Sequence, residues 1–368
     1  MSSASHGRHT AFQALPVVNI AQLYSPHLHE RRQASGQLAK AAGDAGFFYV
    51  TGHRVSQERI DALIACAKSY FAQPMQEKMR HYIGESSNHS GYVPEGEERF
   101  SENVVDRKEA FDVGFDYLAS EGRRPLLGPN RWPDMPRFKE DVSAYYGEVL
   151  ELSKLLFRGF ALALGLEEDR LVRQVNQPPS QLRLIHYPFD EVPKGEGQGI
   201  GSHTDYECFT ILLPTAPGLE VINGAGEWIA VPVLPGAFVI NIGDMLEVLS
   251  NGTFVATRHR VRKVPEERYS FPLFCACDYD TVIEPIVPTP DDKPSPYGML
   301  NCGDHIYAQT QQTFTYLRQR IARGEMKLPD GARLADSFGR KAEVAKWCTL
   351  PNSSRSTHGL PCTGCPNG

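Results

Sequence analysis

A mainly β protein in helical packaging is the fold class that the sequence predicts, and three observations predict it. Between residues 181 and 277, short segments rich in Ile, Val, Leu and Phe alternate with Gly, Pro and Asn turns. That texture belongs to a sandwich, jelly roll or barrel rather than to a parallel α/β sheet. The 368 residues include 32 glycines and 27 prolines, a supply of turn formers that suits many short strands. Ahead of this region, one long helical repeat offers a scaffold against which the core packs.

Taken in order, Pro16–Val17–Val18–Asn19–Ile20 reads as a short strand, and a helix follows over about 29–42. Gly46–Phe47–Phe48–Tyr49–Val50 is a strand closed by Thr51–Gly52–His53. Ser56–Gln57–Glu58–Arg59 suits a helix start, and that helix runs to about residue 71. Residues 84–136, rich in Gly, Pro, Asn and Asp, predict long loops with short extended pieces. The clearest helix covers 141–166: Val142, Tyr145, Val149, Leu152, Leu156, Phe160 and Ala163 recur at spacings of three and four, and Gly165 suits its end. Beyond Gln177–Pro178–Pro179, strands are expected over 181–188, 208–213, 218–222, 228–232, 237–243, 259–264 and 268–277. Helical character returns over 305–323, and the Ser/Pro/Gly-rich tail from about Trp347 reads as loosely ordered.

Composition excludes several classes. With 41% hydrophobic and 22% charged residues, the chain is neither disordered nor fibrous. No run approaches the roughly 18 apolar residues of a membrane span, and the opening MSSASHGRHTAFQ has no apolar leader. A soluble, cytoplasmic protein is expected. The net charge of −6 and the absence of a basic stripe argue against nucleic acid and leave a small molecule as the expected partner. Eight cysteines, at 66, 208, 275, 277, 302, 348, 362 and 365, are too sparse for a disulfide framework and fit a reducing compartment.

The sharpest chemical feature is His203–Thr204–Asp205, with His259 far downstream. In a strand, positions i and i+2 share a face, so one imidazole and one carboxylate can be presented together. A histidine from a distant strand completes a two-histidine, one-carboxylate set that suits Fe(II) with open positions for small ligands and O2. On its own, His-x-Asp is equally an ordinary surface pair. Arg268–Tyr269–Ser270 repeats the i, i+2 logic: a guanidinium fork and a hydroxyl on one face can hold a carboxylate. The alternative for Arg268 is a structural salt bridge to an internal Asp or Glu.

Together these pieces resemble the isopenicillin N synthase-like branch of the Fe(II)/2-oxoglutarate-dependent dioxygenases. The matching stretches are Gln181–Leu182–Arg183–Leu184–Ile185–His186–Tyr187–Pro188, Ser202–His203–Thr204–Asp205–Tyr206, Asn241–Ile242–Gly243–Asp244, Leu249–Ser250–Asn251–Gly252, His259–Arg260–Val261 and Arg268–Tyr269–Ser270. In the amino-terminal half, Gly46–Phe47–Phe48–Tyr49–Val50, Tyr70–Phe71–Ala72–Gln73–Pro74, Gly91–Tyr92 and Asp106–Arg107–Lys108–Glu109 add to the likeness, which covers roughly residues 14 to 322.

The resemblance implies a double-stranded β-helix, or distorted jelly roll, with an N-terminal α/β cap region and a long spine helix. It divides the chain into a cap region at 14–136, a spine helix and linker at 137–176, the jelly-roll core at 177–283, a C-terminal helical region at 284–346 and a flexible tail at 347–368. It implies that His203, Asp205 and His259 bind Fe(II), and that 2-oxoglutarate serves as cosubstrate with O2. The far carboxylate of the cosubstrate would rest on Arg268 and Ser270, with a phenolic hydrogen bond from Tyr187. Hydroxylation, desaturation or cyclisation of a small organic substrate would follow, with release of succinate and CO2.

Arg183, Tyr206 and Phe274 fall at positions that family members use around the substrate. A structural ion pair for Arg183 and core packing for Phe274 are the alternatives. Phe100, Phe111 and Phe115 could supply cavity walls, whereas His186, on the opposite face from Tyr187, reads as a structural histidine. Two other functions remain open on the motifs. One is an isopenicillin N synthase-type oxidase that uses O2 without 2-oxoglutarate, although that enzyme's glutamine near the carboxyl terminus has no clear counterpart. The other is a non-catalytic metal or metabolite sensor. In the tail, Cys348, His358, Cys362 and Cys365 could form a zinc site, or simply a tail with reactive thiols.

Overall fold

Two sheets of unequal width, antiparallel but for the parallel pair Val17–Asn19 and Phe47–Thr51, face each other across a cavity. The computed structural model describes residues 10–86, 88–98, 107–118, 124–125, 127–189, 198–262, 266–289 and 294–327. The tail with Cys348, His358, Cys362 and Cys365, as well as Phe100 and Asp106, lies outside the described residues.

The first part of the chain runs β1 (Val17–Asn19), α1 (Leu28–Asp44), β2 (Phe47–Thr51), α2 (Gln57–Phe71), α3 (Met75–Met79), β3 (Gly91–Val93) and β4 (Glu109–Val113), then the long α4 (Phe138–Ala163). Ser56 caps α2 as its position suggests, its hydroxyl accepting from the Arg59 amide at 3.2 Å. The expected stripe from Val142 to Phe160 is buried along α4. Phe157 and Phe160 set their rings 4.8 and 5.2 Å from that of Phe209, seating the helix on the sheet. Gly165 ends the helix at φ 73°, with its amide donating to Leu162 and the Leu166 amide to Ala161.

The second part contributes β5 (Gln181–Tyr187), β6 (Gln198–His203), β7 (Phe209–Pro214), β8 (Leu219–Ile222), β9 (Trp228–Ala230), β10 (Phe238–Ile242), the short α5 (Asp244–Leu249), β11 (His259–Arg262) and β12 (Arg268–Cys275). The pair β13 (Val282–Ile283) and β14 (Leu300–Asn301) and the helices α6 (Cys302–Thr313) and α7 (Thr315–Ala322) follow. The larger sheet has the order β1-β2-β10-β7-β12-β5-β4-β3 and the smaller β6-β11-β8-β9. Apolar side chains of both sheets interlock, Ile185 and Tyr187 with Ile200 and Val261, and Leu212 and Val239 with Leu219 and Val221. This is the jelly roll that the strand texture suggests. Strands β1 to β4 join both edges of its larger sheet, β2 pairing with β10 and β4 with β5.

Two expectations change. The single helix over 305–323 starts earlier, where the Asn301 side chain caps the Asp304 amide, and breaks at Phe314, whose backbone is extended (φ −92°, ψ 130°). Phe314 turns inward there and packs beside Val93, Ile185 and Tyr187, so core burial overrides helix continuity. Helix α5 has no counterpart among the expected elements, because six residues are too few to show a helical period. Among the described residues, no helix is long and apolar enough to cross a membrane.

Candidate active site

His203, the last residue of β6, stands directly opposite His259, the first of β11, across an antiparallel pair, with ring centroids 4.3 Å apart. Asp205 brings Oδ1 to 3.5 Å from Nε2 of His203 and 3.6 Å from Nε2 of His259. Among the described residues this is the one group of three or more His, Cys, Asp or Glu side chains gathered closely enough to hold a metal ion. Nδ1 of His203 lies 2.8 Å from the Gly201 carbonyl, and Nδ1 of His259 lies 3.4 Å from that of Thr257. A carbonyl only accepts, so each ring carries a proton on Nδ1 and presents Nε2 toward Asp205. Burial, then the neighbouring His203, pushes the His259 imidazole down to about 4, leaving it neutral and ready to ligate.

The i, i+2 strand argument does not account for this convergence. Strand β6 stops at His203, and Asp205 reaches the site from the following turn. Three amides at the start of α5 hold that turn: Asp244 donates to the Asp205 carbonyl at 2.8 Å, Gly243 to that of Cys208 at 2.9 Å and Met245 to that of Glu207 at 3.1 Å. Position 243 must be glycine for so close an approach, since a Cβ there would sit 2.2 Å from the Glu207 carbonyl oxygen. Asn241 Nδ2 donates to Asp205 Oδ2 at 2.7 Å, and Thr210 Oγ1 donates to the same oxygen. Burial opposes ionisation of Asp205, yet the two imidazoles and the Thr210 hydroxyl hold its carboxyl well below the usual range. The sequence marks the stretch from Asn241 to Asp244 only as part of a resemblance; its role as the clamp on the 203–208 turn needs the fold.

Arg268 and Ser270 lie on one face of β12, opposite Tyr187 and Ile185 of β5, and both line the cavity that holds the triad. That cavity lies between the two sheets. The Arg268 guanidinium is 0% exposed, with its carbon 4.6 Å from the Tyr187 ring centroid. Its Nε donates to the Ala216 carbonyl at 3.2 Å, while neither Nη has a hydrogen-bond partner. No described carboxylate pairs with it, so the salt-bridge alternative is not what the fold builds. Leaving a buried guanidinium with both Nη groups unmet costs several kcal/mol in order of magnitude, a cost that a bound anion would remove.

Arg183, Tyr206 and Phe274 line the same cavity. Arg183 is committed elsewhere as well: Nε and one Nη donate to Asp112 at 2.8 Å each, and the other Nη donates to Glu98 at 2.8 and 2.9 Å. Lys108 also donates to Glu98, so two cations and two carboxylates form a quartet in the wall. The ion-pair alternative for Arg183 therefore describes its contacts, although the residue still faces the cavity. Phe111 turns away from the cavity into the core, 4.9 Å from the Tyr70 ring, and Phe115 lines a second cavity. His186 is held between Glu109 at 2.8 Å and Glu267 at 3.0 Å, as a structural histidine should be.

Glu207 is a residue that the sequence does not single out. It is 6% exposed and lines both cavities, together with Gln181 and Tyr206. Burial, then the charge of Asp205, pushes its carboxyl up to about 8.

Comparison with known proteins agrees with this geometry. Residues 15–135 match the family model for the non-haem dioxygenase in morphine synthesis N-terminal region, and residues 178–276 match that of the 2OG-Fe(II) oxygenase superfamily. A homoarginine-6-hydroxylase of Arabidopsis thaliana is 33% identical over 331 residues, covering 83% of this chain and 99% of its own. A 2-oxoglutarate-dependent dioxygenase of Didymella fabae is 31% identical, covering 83% and 98%. Among solved structures, a 2OG-Fe(II) oxygenase family protein from Caulobacter crescentus superposes with a TM-score of 0.69 at 30% identity, over 85% of this chain and 99% of that one. A full-length Neurospora crassa protein solved in complex with alpha-KG shares the fold, with a TM-score of 0.69 at 22% identity over 87% and 99%.

Proposed function

Because the chain belongs to the Fe(II)/2-oxoglutarate-dependent dioxygenase family, we propose that His203, Asp205 and His259 hold its iron and that Arg268, Ser270 and Tyr187 hold its cosubstrate. The protein is an oxidoreductase of that kind, using Fe(II), 2-oxoglutarate and O2. The observation that carries the residue assignment is the buried, unmet guanidinium of Arg268, facing the same cavity as a two-histidine, one-carboxylate cluster. A dianionic 2-oxo acid needs a metal at one end and a fixed cation at the other, and this cavity offers both.

When bound, iron and cosubstrate supply the oxidising chemistry: O2 is reduced while 2-oxoglutarate loses CO2 to become succinate. The chain supplies the rest. Asn241 and Thr210 fix one Asp205 oxygen and turn the other toward the metal position. Arg268 takes the far carboxylate on its two Nη groups, with the Ser270 hydroxyl beside it and the Tyr187 ring stacked against the guanidinium. Leu212, Leu219 and Val261 wall the cavity and keep water from the reacting carbon. Arg183, Tyr206 and Phe274 bound the substrate side of this space, and a small organic molecule is the substrate. The named activity of its relatives makes homoarginine the first compound to try.

The deciding experiment is an anaerobic titration of the apo-protein with Fe(II) and 2-oxoglutarate. A weak visible charge-transfer band that needs both components is the expected result. Iron binding with no band would reassign Arg268 and Ser270 to a substrate carboxylate, as in an oxidase that uses O2 alone. Absence of iron binding would remove the triad.

A further inference from the structure

We propose that the second cavity binds an uncharged amide-type group of the substrate, a carbonyl with an N–H beside it, through His89 and Gln181. The inference deepens the reading given above and rests on its iron and 2-oxoglutarate sites.

Each of these two side chains is oriented by a fixed partner and keeps one polar atom for the cavity. His89 Nδ1 lies 2.7 Å from the Tyr316 hydroxyl, which has no other partner among the described residues. A phenol has one proton to give, so that proton goes to Nδ1 and the ring's own proton sits on Nε2. Burial, then the Arg183 charge, keeps the ring neutral. Gln181 Nε2 donates to the His89 carbonyl at 3.1 Å. A carbonyl only accepts, so the amide cannot be turned about, and Oε1 is left as an acceptor. Neither His89 Nε2 nor Gln181 Oε1 has a partner among the described residues, and neither is sealed in the interior. Each therefore opens on the cavity that its residue lines.

The surroundings hold this pair in place. His89 has φ 54°, in the left-handed region that a residue other than glycine keeps only where its neighbours impose it. Asn88 anchors the segment by donating to the Gly128 carbonyl at 3.2 Å, and the His89 ring meets that of Phe314 edge-on at 4.4 Å. Phe115, Tyr117 and Tyr279 wall the cavity. The two tyrosine hydroxyls are tied to the Gln177 carbonyl at 2.6 Å and to Asp304 at 3.1 Å. Apart from Glu207 on the wall shared with the iron cavity, no described lining residue is Lys, Arg, Asp or Glu. A charged group would give up its hydration here for neutral partners, whereas an amide exchanges like for like: its carbonyl takes Nε2–H and its N–H meets Oε1. Gln181 and Tyr206 also belong to both cavities, so a molecule oxidised at the metal can extend into this space.

The test uses the full chain loaded anaerobically with Fe(II) and 2-oxoglutarate. The probe is δ-valerolactam, set against N-methyl-δ-valerolactam, which lacks the donor, cyclohexanone, which lacks the nitrogen, and piperidine, which is cationic. Calorimetry gives the dissociation constants, and a shift of the visible band reports whether a bound probe is felt at the metal. The lactam should bind at least ~10-fold more tightly than each of the other three, and it should shift the band. Gln181→Met removes the acceptor and His89→Phe the donor; each should bring the lactam to within a few-fold of its N-methyl derivative. His89→Asn, which tolerates the left-handed backbone but has a shorter reach, replaces His89→Phe if that variant does not fold. The band, which needs no substrate, reports folding in each case. Preference unchanged in the variants, tightest binding by piperidine or cyclohexanone, or binding by no probe would overturn the inference. A lactam that binds without moving the band would also overturn it, by placing the cavity outside the substrate space. Absence of the band before any probe is added would instead overturn the iron and cosubstrate reading, so the two failures are read separately.

Discussion

The side-chain amide of Asn241 donates to Oδ2 of Asp205 at 2.7 Å, and this leaves Oδ1 facing both imidazoles. Asn241 sits on β10 and Asp205 in the turn after β6, so two strands from different sheets meet at the carboxylate. Asn241→Ala should lower Fe(II) affinity by about 10- to 100-fold, the usual effect of losing a partner that orients a ligand. Competition against a chromophoric chelator measures it. Unchanged affinity would leave Thr210 as the sole orienting group.

Arg268→Ala should raise the 2-oxoglutarate requirement by about 100-fold or more while iron binding survives. Arg268→Lys should recover only part of it, since an ammonium cannot offer the two parallel donors of a guanidinium. Thermal unfolding gives a second readout: 2-oxoglutarate with Fe(II) should raise the midpoint of the wild type and leave that of Arg268→Ala nearly unmoved. Equal shifts in both would move Arg268 out of the cosubstrate site.

Arg183→Ala should cost about 3–5 kcal/mol of stability, because Asp112, 0% exposed, is left without its cation. Asp112→Asn added to Arg183→Ala should restore part of the loss. Denaturant unfolding of the two variants decides the matter. A stable Arg183→Ala with an altered substrate range would instead make Arg183 a substrate residue.

Acid should weaken the fold through His89. Burial, then the Arg183 charge, pushes this imidazole down to about 3, and its Nδ1 lies 2.7 Å from the Tyr316 hydroxyl. An unfolded histidine titrates near 6.5, so below that pH the unfolded chain takes up a proton that the folded chain refuses. Stability is therefore intact above pH 6.5 and falls as pH drops toward 3, by about 2 kcal/mol at pH 5 from this group. His89→Gln should flatten the stability profile between pH 7 and pH 5 by that amount. A profile identical to wild type would show that His89 is protonated in the folded state.

Much of the site is legible because its residues carry their chemistry locally. Arg268 and Ser270 need only the period of a strand, and His259 needs only a second strand to stand beside His203. The rest depends on contacts that spacing does not encode. Arg183 finds Asp112 and Glu98 at separations of 71 and 85 residues, so nothing near it in the chain announces the pairing. Asp205 reaches the site from a turn, and the turn is set by Gly243 and the amides of α5, a helix too short to be read. Glu207 escapes notice because one acidic residue in a chain with 44 of them has no signature until its burial is known. Phe314 breaks a helix that the local sequence would have continued, because its ring is worth more in the core.

The amino-terminal strands flank the jelly roll on both sides, β2 along β10 and β4 along β5. A shortened chain beginning at residue 137 would thus present two long hydrophobic strand edges to solvent at once, which is the geometry of edge-to-edge aggregation. The boundary between the two matched families is then a seam in sequence only: neither piece closes its own sheet, and any attempt to transplant the catalytic half between relatives has to carry the amino-terminal strands with it.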